Sequence, residues 1–167
     1  MRVKIQHIKD ALQAGAYQAA LALALTLPDI CAKVENKMSE TTRTHYIAWV
    51  DNNVDFSKLS AGASTREAEM NGTLIYSLRC AFLHCGNDEI KNQSAGQSLP
   101  HTQFEVVAPG SLGNGIYYSY HLSGSTKCNR TVKAQVDAEA ICKLLYESAE
   151  KYYNAHVPQL DFDPYIL

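Results

Sequence analysis

The sequence predicts an all-α protein, an up-and-down bundle of four or five helices with a β-hairpin inserted before the last helix. Three observations carry that expectation. An Ala- and Leu-rich run, AYQAALALALTL, spans Ala16 to Leu27, and both residues are strong helix formers. Further on, Leu74, Ile75, Leu78, Ala81, Phe82 and Cys85 fall on one side of a helix at about 100° per residue. Beyond residue 102 the period drops to two, with Ile116, Tyr118, Tyr120 and Leu122 alternating with Tyr117, Ser119 and His121.

Taken in order, residues 6–27 read as one long helix. Pro28 then starts a second helical piece, since proline is tolerated in a first turn and Asp29 suits its positive end. A third runs over residues 41–54 and carries Tyr46, Ile47, Trp49 and Val50. Residues 56–65, with Ser60, Gly62 and Ser64, read as a loop, and residues 66–85 as a helix closed by Gly86. After a Gly/Asn/Ser-rich loop to His101, the runs 103–108 and 116–122 read as the two strands of a hairpin, an insertion over about 102–123. Two strands alone are marginal, so the hairpin must lie on the helices or pair with another chain. The last helix is expected over residues 131–153, with Val132, Val136, Ala140, Leu144 and Leu145 inward. The tail, about 156–167, carries Pro158 and Pro164 and is expected to drape over the bundle or a neighbour.

A length of 167 residues suits one domain, 1–167, with a core of its own. Hydrophobic residues make up 46% and charged ones 19%, the balance of a soluble globular chain. The net charge of −2 argues against a general basic coat for nucleic acid and leaves room only for a local basic site. The five cysteines, Cys31, Cys80, Cys85, Cys128 and Cys142, form no CxxC pair and no zinc spacing. Free thiols in a reducing cytoplasm are the simplest account, with no metal and no cofactor expected. The apolar run 16–27 is too short to span a bilayer. Asp10 within the preceding basic stretch and Asp29 after it disfavour a signal peptide, so a buried first helix is expected and no membrane partner.

Chemistry concentrates at Arg79-Cys80-Ala81-Phe82-Leu83-His84. An imidazole with pKa near ~6.5 exchanges a proton at neutral pH, and a guanidinium offers a planar fork of donors to phosphate oxygens. Together the two support phosphodiester cleavage without a metal. On a straight helix they stand about 140° apart, bordering a face with Tyr76, Cys80 and Asn87. Acting together therefore requires a bend at Gly86 or two copies meeting across a two-fold axis. The bland account is a surface Arg and a C-terminal His favoured by the helix dipole. Asp29 could orient a catalytic group, although its place in a first turn already has a structural reason. Tyr76 and Asn87 could hold a base or a phosphate, or serve as dimer contacts. A Cys80/His84 nucleophile at i, i+4 spacing is a further candidate. Tyr117, Tyr118 and Tyr120 could stack bases, with packing on a half-buried strand the simpler account.

The stretches Leu27-Pro-Asp-Ile-Cys31, Tyr46-Ile-Ala-Trp49 and Ser77-Leu-Arg-Cys-Ala-Phe-Leu-His-Cys-Gly86, with Arg-x4-His late in a helical bundle, resemble the HEPN superfamily, in particular its small stand-alone bacterial members. The resemblance covers about residues 11–87 and the last helix. It implies a metal-independent endoribonuclease cutting single-stranded or loop RNA, a component of toxin–antitoxin or phage-defence systems. In such members the Arg and His of two subunits converge on one composite site, which implies a homodimer. Carried over, Arg79 takes the place of the family's arginine and His84 that of its histidine. An antitoxin or a nucleotidyltransferase is the kind of partner implied. Where active members often carry Asn, Asp or His after the arginine, this chain has Cys80. That departure supports the alternative, a non-catalytic HEPN module for nucleotide binding, dimerisation or regulation.

Overall fold

A computed structural model describes residues 1–61, 70–85, 89–90, 101–107, 110, 115–122, 130–158 and 160–162. Most of these residues are helical, the class the sequence predicts. The N-terminal run makes two helices, α1 (Arg2–Gln13) and α2 (Tyr17–Ala24), where one was expected over residues 6–27. Gly15 is the cause. It adopts the left-handed conformation, φ 71°, which costs glycine nothing for want of a Cβ. Its amide donates to the Leu12 carbonyl at 3.0 Å, and the Ala16 amide donates to that of Ala11 at 2.8 Å. These two bonds satisfy the last carbonyls of α1 and turn the chain.

Helix α3 (Leu27–Asn36) carries Pro28 and Asp29 in its first turn, beginning one residue before the expected Pro28, and ends on Lys37, itself left-handed at φ 52°. Helix α4 (Arg43–Asn53) is capped by the Thr42 hydroxyl, which accepts from the His45 amide at 3.3 Å. A single 3₁₀ turn, Phe56–Lys58, follows in the expected loop. Helix α5 (Gly72–Cys80) is capped by the Asn71 side chain, which accepts from the Leu74 amide at 3.0 Å. The chain then widens into one π-helical turn, Ala81–Cys85. Gly86, expected to close this helix, and residues 62–69 lie outside the described residues.

The expected hairpin is corrected. Strands β1 (Ser60–Ala61), β2 (Glu89–Ile90), β3 (His101–Val107), β4 (Gly115–Leu122) and β5 (Arg130–Asp137) form one sheet in the order β1-β4-β5-β3-β2. Strands β3 and β4 hold the two runs read as hairpin partners, yet neither pairs with the other. Both pair with β5, β3 in parallel (Phe104 opposite Ala134) and β4 antiparallel (Tyr118 opposite Ala134). The first seven residues assigned to the last helix, 131–137, thus belong to the central strand. Val132, Ala134 and Val136 alternate with Lys133 and Gln135, a period of two that suits a strand with a neighbour on each side. Helix α6 (Ala138–His156) begins only after Asp137. One oxygen of that buried carboxylate accepts from the Ala140 amide at 3.1 Å, capping the helix. The other accepts from the Gly110 amide at 2.9 Å.

Helix α6 touches α1, α2, α3 and α4, so its apolar side is the centre of the core. Ile141, Leu145 and Ala149 are wholly buried there, with Ile8, Leu21, Leu27, Tyr46 and Trp49 from the surrounding helices. Part of the tail does drape over the helices: Phe162 is buried and sets its ring edge-on to Tyr152 and Tyr153, centroids 6.3 and 4.9 Å away. Residues 163–167 lie outside the described residues. Among the described residues, no helix is long and apolar enough to cross a membrane. Cys31, Cys80 and Cys142 are free thiols.

Candidate functional site

Three helix ends meet at Arg79, and each is placed by a local interaction. Helix α5 runs antiparallel to α4, in close contact. At its start the Gly72 amide donates to Asp51 Oδ1 at 2.6 Å, and a Cβ on Gly72 would stand 2.5 Å from the Ile47 carbonyl oxygen. Only a hydrogen at that position lets the helices approach so far. One turn on, Tyr76 sets its ring against Tyr46 of α4, with centroids 5.3 Å apart and planes at 68°. A further turn brings Arg79 beyond the start of α4 to the first turn of α3. The connection into α4 is fastened there by Thr41, whose hydroxyl donates to the Asp29 backbone carbonyl at 3.0 Å.

Arg79 Nε donates to Asp29 Oδ2 at 2.7 Å, a charge-assisted hydrogen bond 50 residues apart in sequence. The two side chains retain 20% and 16% of their exposure, which places the pair at the rim of the core. The guanidinium carbon also lies 5.7 Å from the Tyr46 ring centroid and 5.8 Å from that of Tyr76, in a corner between two aromatic faces. Burial works against the charge on Arg79, and the Asp29 carboxylate with its hydrogen bond more than offsets it, so the guanidinium pKa is raised. Burial, reinforced by the Asp29 charge, pushes the Tyr46 phenol far up. That hydroxyl stays protonated and donates to the Leu25 carbonyl at 3.1 Å.

Burial also raises the Tyr76 phenol, helped by its hydrogen bond with the Cys80 thiol. Tyr76 therefore borders Arg79 as expected, but its ring is taken up by cations. The Arg43 guanidinium carbon lies 5.7 Å from its centroid, beside the contribution of Arg79. Cys80, half-buried, sits next to both. Neither Arg43 nor Tyr46 stands out as a site residue from the sequence. A faint signal for Arg43 exists: it is a cation in the first turn of a helix, the end where the dipole disfavours one.

His84 lies in the π-helical turn; its side chain is outside the described residues, as is Asn87. On a regular helix five steps separate positions 79 and 84 by about 140°. A turn closed by i to i+5 bonds is wider and advances less per residue, so the backbone at 84 swings round towards that at 79. The departure from regular winding thus comes before Gly86, where the sequence suggested a bend. Among the described residues, no three His, Cys, Asp or Glu side chains are grouped to hold a metal ion. The tyrosines of β4 pair with β5 through their backbones, and their side chains are outside the described residues. Compared with protein-family models, with curated proteins and with solved structures, the chain matches none.

Proposed function

We propose that this chain is a metal-independent endoribonuclease of the HEPN type, cytoplasmic and homodimeric, that cuts single-stranded or loop RNA at a composite Arg79/His84 site as a toxin or defence component. The observation that supports it most is the setting of Arg79. Asp29 fixes the guanidinium at the end of α5, two residues before the widened turn that carries His84. A preorganised cation is what a developing phosphorane charge requires.

On this reading His84 takes the proton of a ribose 2′-hydroxyl, and the 2′-oxygen attacks the adjacent phosphorus. The bond from phosphorus to the 5′-oxygen breaks, and that oxygen leaves as a hydroxyl after taking up a proton. The products are a 2′,3′-cyclic phosphate and a 5′-hydroxyl strand. Arg79 stabilises the charge on the non-bridging oxygens, and Asp29, Tyr76 and Cys80 act in support. Purified protein with single-stranded RNA in EDTA tests this. Cleavage with those end groups, no action on DNA, and a loss on the order of 10²-fold or more for Arg79→Ala and for His84→Ala are expected. Undiminished cleavage by the double variant, or activity lost only on chelation, overturns the mechanism.

One observation favours a second reading, a HEPN module that binds a nucleotide or a second subunit without turnover. Cys80 stands after Arg79, and its thiol is spent on Tyr76 rather than on a polar role at the site. Saturable nucleotide binding with no cleavage at any pH from 5 to 9, spanning the imidazole pKa of ~6.5, would establish that reading instead.

A further inference from the structure

The register of the sheet sorts its residues onto two unlike faces. Strand β5 lies between β4 and β3, and residues directly opposite one another share a face. Ile116, Val136 and Val106 make one row across the three strands, and Tyr118, Ala134 and Phe104 make the next. Tyr120, Val132 and Thr102 make a third. The alternate positions are polar: Lys133 and Gln135 on β5, Ser119 and His121 on β4, Gln103 and Glu105 on β3. One face is therefore apolar over three strands, the pattern of a sheet covered on one side.

This chain supplies little to cover it. The helices meet the sheet chiefly at its borders, α6 at the end of β5 and α5 beside the edge strand β2. Among the described residues, no helix makes a comparable contact with β3 or β4. Residues 62–69, 91–100, 108–114 and 123–129 hold only Leu99 and Leu112 as large apolar residues. The apolar run Tyr165–Leu167 follows Phe162, which is seated at the far end of α6.

The area is that of an interface. Covering Tyr118, Tyr120 and Phe104 removes about 150–250 Å² each from water, together about 450–750 Å². A monomer seldom exposes an apolar patch beyond a few hundred Å², and a stable dimer needs about 800 Å² per partner. The aliphatic residues of the same rows make up the remainder. The face also suits a copy of itself. Its middle row runs large, small, large through Tyr118, Ala134 and Phe104, and such a row interdigitates with its two-fold mate shifted by one strand. The three rows carry no charge, so two copies meet without like-charge repulsion.

We propose that two copies of this chain pack through the apolar side of their sheets, β3, β4 and β5 of one protomer against those of its partner, closing the dimer as a β-sandwich. This rests on the proposed function for the homodimer alone, not for its chemistry.

Light scattering over a concentration series, in reductant, tests it on wild type, Tyr118→Lys and Tyr117→Lys, the adjacent tyrosine on the polar face. Wild type is expected to be a dimer. Tyr118→Lys should raise the dissociation constant on the order of 10²-fold or more, since each copy puts a charge into the apolar interface. Tyr117→Lys should match wild type. Val132→Thr, which keeps the shape and adds a hydroxyl, should weaken the dimer about tenfold and decides the matter if Tyr118→Lys fails to fold.

A wild type that stays monomeric overturns the proposal. If its melting temperature then drops with Tyr118→Lys, the chain's own helices cover the face; if RNA binding drops instead, the tyrosines stack bases. A dimer that survives both Tyr118→Lys and Val132→Thr, or that Tyr117→Lys dissociates equally, also overturns it. A dimer dissociated by Tyr118→Lys that leaves RNA intact refutes the endoribonuclease reading alone. RNA cleavage by a dimer indifferent to these variants refutes this inference alone.

Discussion

Asp29 does more than suit the first turn of a helix. It is the anionic side of the contact that fixes Arg79, and its charge and hydrogen bond offset the burial that opposes the guanidinium charge. Asp29→Asn keeps the shape and removes the charge, so Arg79 loses its orientation while α3 retains a polar residue near its start. On the proposed mechanism kcat should fall about tenfold or more with KM little changed, because the lost interaction matters most in the transition state. Asp29→Glu should recover part of that loss. The pair is partly exposed, so the stability cost of Asp29→Asn should be only about 1–2 kcal/mol, between surface and buried ion pairs. Steady-state kinetics and thermal melts measure the two quantities. A variant with unchanged kcat would show that the pair is purely structural. The residues at this site were unevenly legible. Arg79, Tyr76, Cys80 and Asp29 stand out by type and spacing, but the bond between positions 29 and 79 is a tertiary fact that no local pattern encodes. Arg43 was hidden for the same reason, since its partner ring lies on another helix.

At the scale of elements, Gly72 sets the distance between α4 and α5. A methyl group there would meet the Ile47 carbonyl oxygen at 2.5 Å and Asp51 Oδ1 at 3.0 Å, and the former is backbone that cannot step aside. Gly72→Ala should therefore destabilise the protein by about 1–3 kcal/mol, the usual range for overpacking, despite the better helix propensity of alanine. It should also spread Tyr76 from Tyr46 and so loosen Arg79, lowering activity together with the melting temperature. A stabilised Gly72→Ala variant, measured by denaturant titration, would mean that the helices can part without cost. A side chain makes the cap at three α-helix starts, yet only the start near Thr42 was read from the sequence, while the helices capped by Asn71 and Asp137 were expected to begin at residues 66 and 131. Thr42, Asn71 and Asp137 each accept from an amide at the start of their helix. The split of the first run at Gly15 was readable from glycine's freedom at positive φ, yet Ala and Leu on both sides masked it. The strand 130–137 was misread because Val132, Val136 and Ala140 fit a period of four as well as one of two. Only its neighbours β3 and β4 decide between them.

Across the whole molecule, weakly acidic groups are packed into a core that holds them protonated. Burial, then the charges of Asp137 and Glu139, pushes the Cys142 thiol up to about 12, and burial pushes that of Cys31 higher still. Burial, then Glu35 and Cys31, pushes the Tyr152 phenol up to about 12, and Tyr46 is raised well above its ordinary value. In the unfolded chain thiols ionise near pH ~8.5 and phenols near ~10. Between those values and the folded-state ones the unfolded chain binds fewer protons than the native protein. The derivative of unfolding free energy with pH is then negative. Stability should be fully present below pH ~8.5, begin to fall there as the unfolded thiols ionise, and fall more steeply above pH ~10 as the phenols join. Denaturant titrations in reductant at a series of alkaline pH values measure this directly. Replacing both Cys31 and Cys142 with alanine should lower stability at neutral pH, through the lost packing of two buried side chains, yet flatten the first part of the decline. The steeper part above pH ~10 should remain, because it belongs to the phenols. Unfolding free energy that stays level from pH 8 to 12 in the wild-type protein, across the span where free thiols and phenols ionise, would mean that these groups meet solvent on ionising and that the helical core opens locally around them.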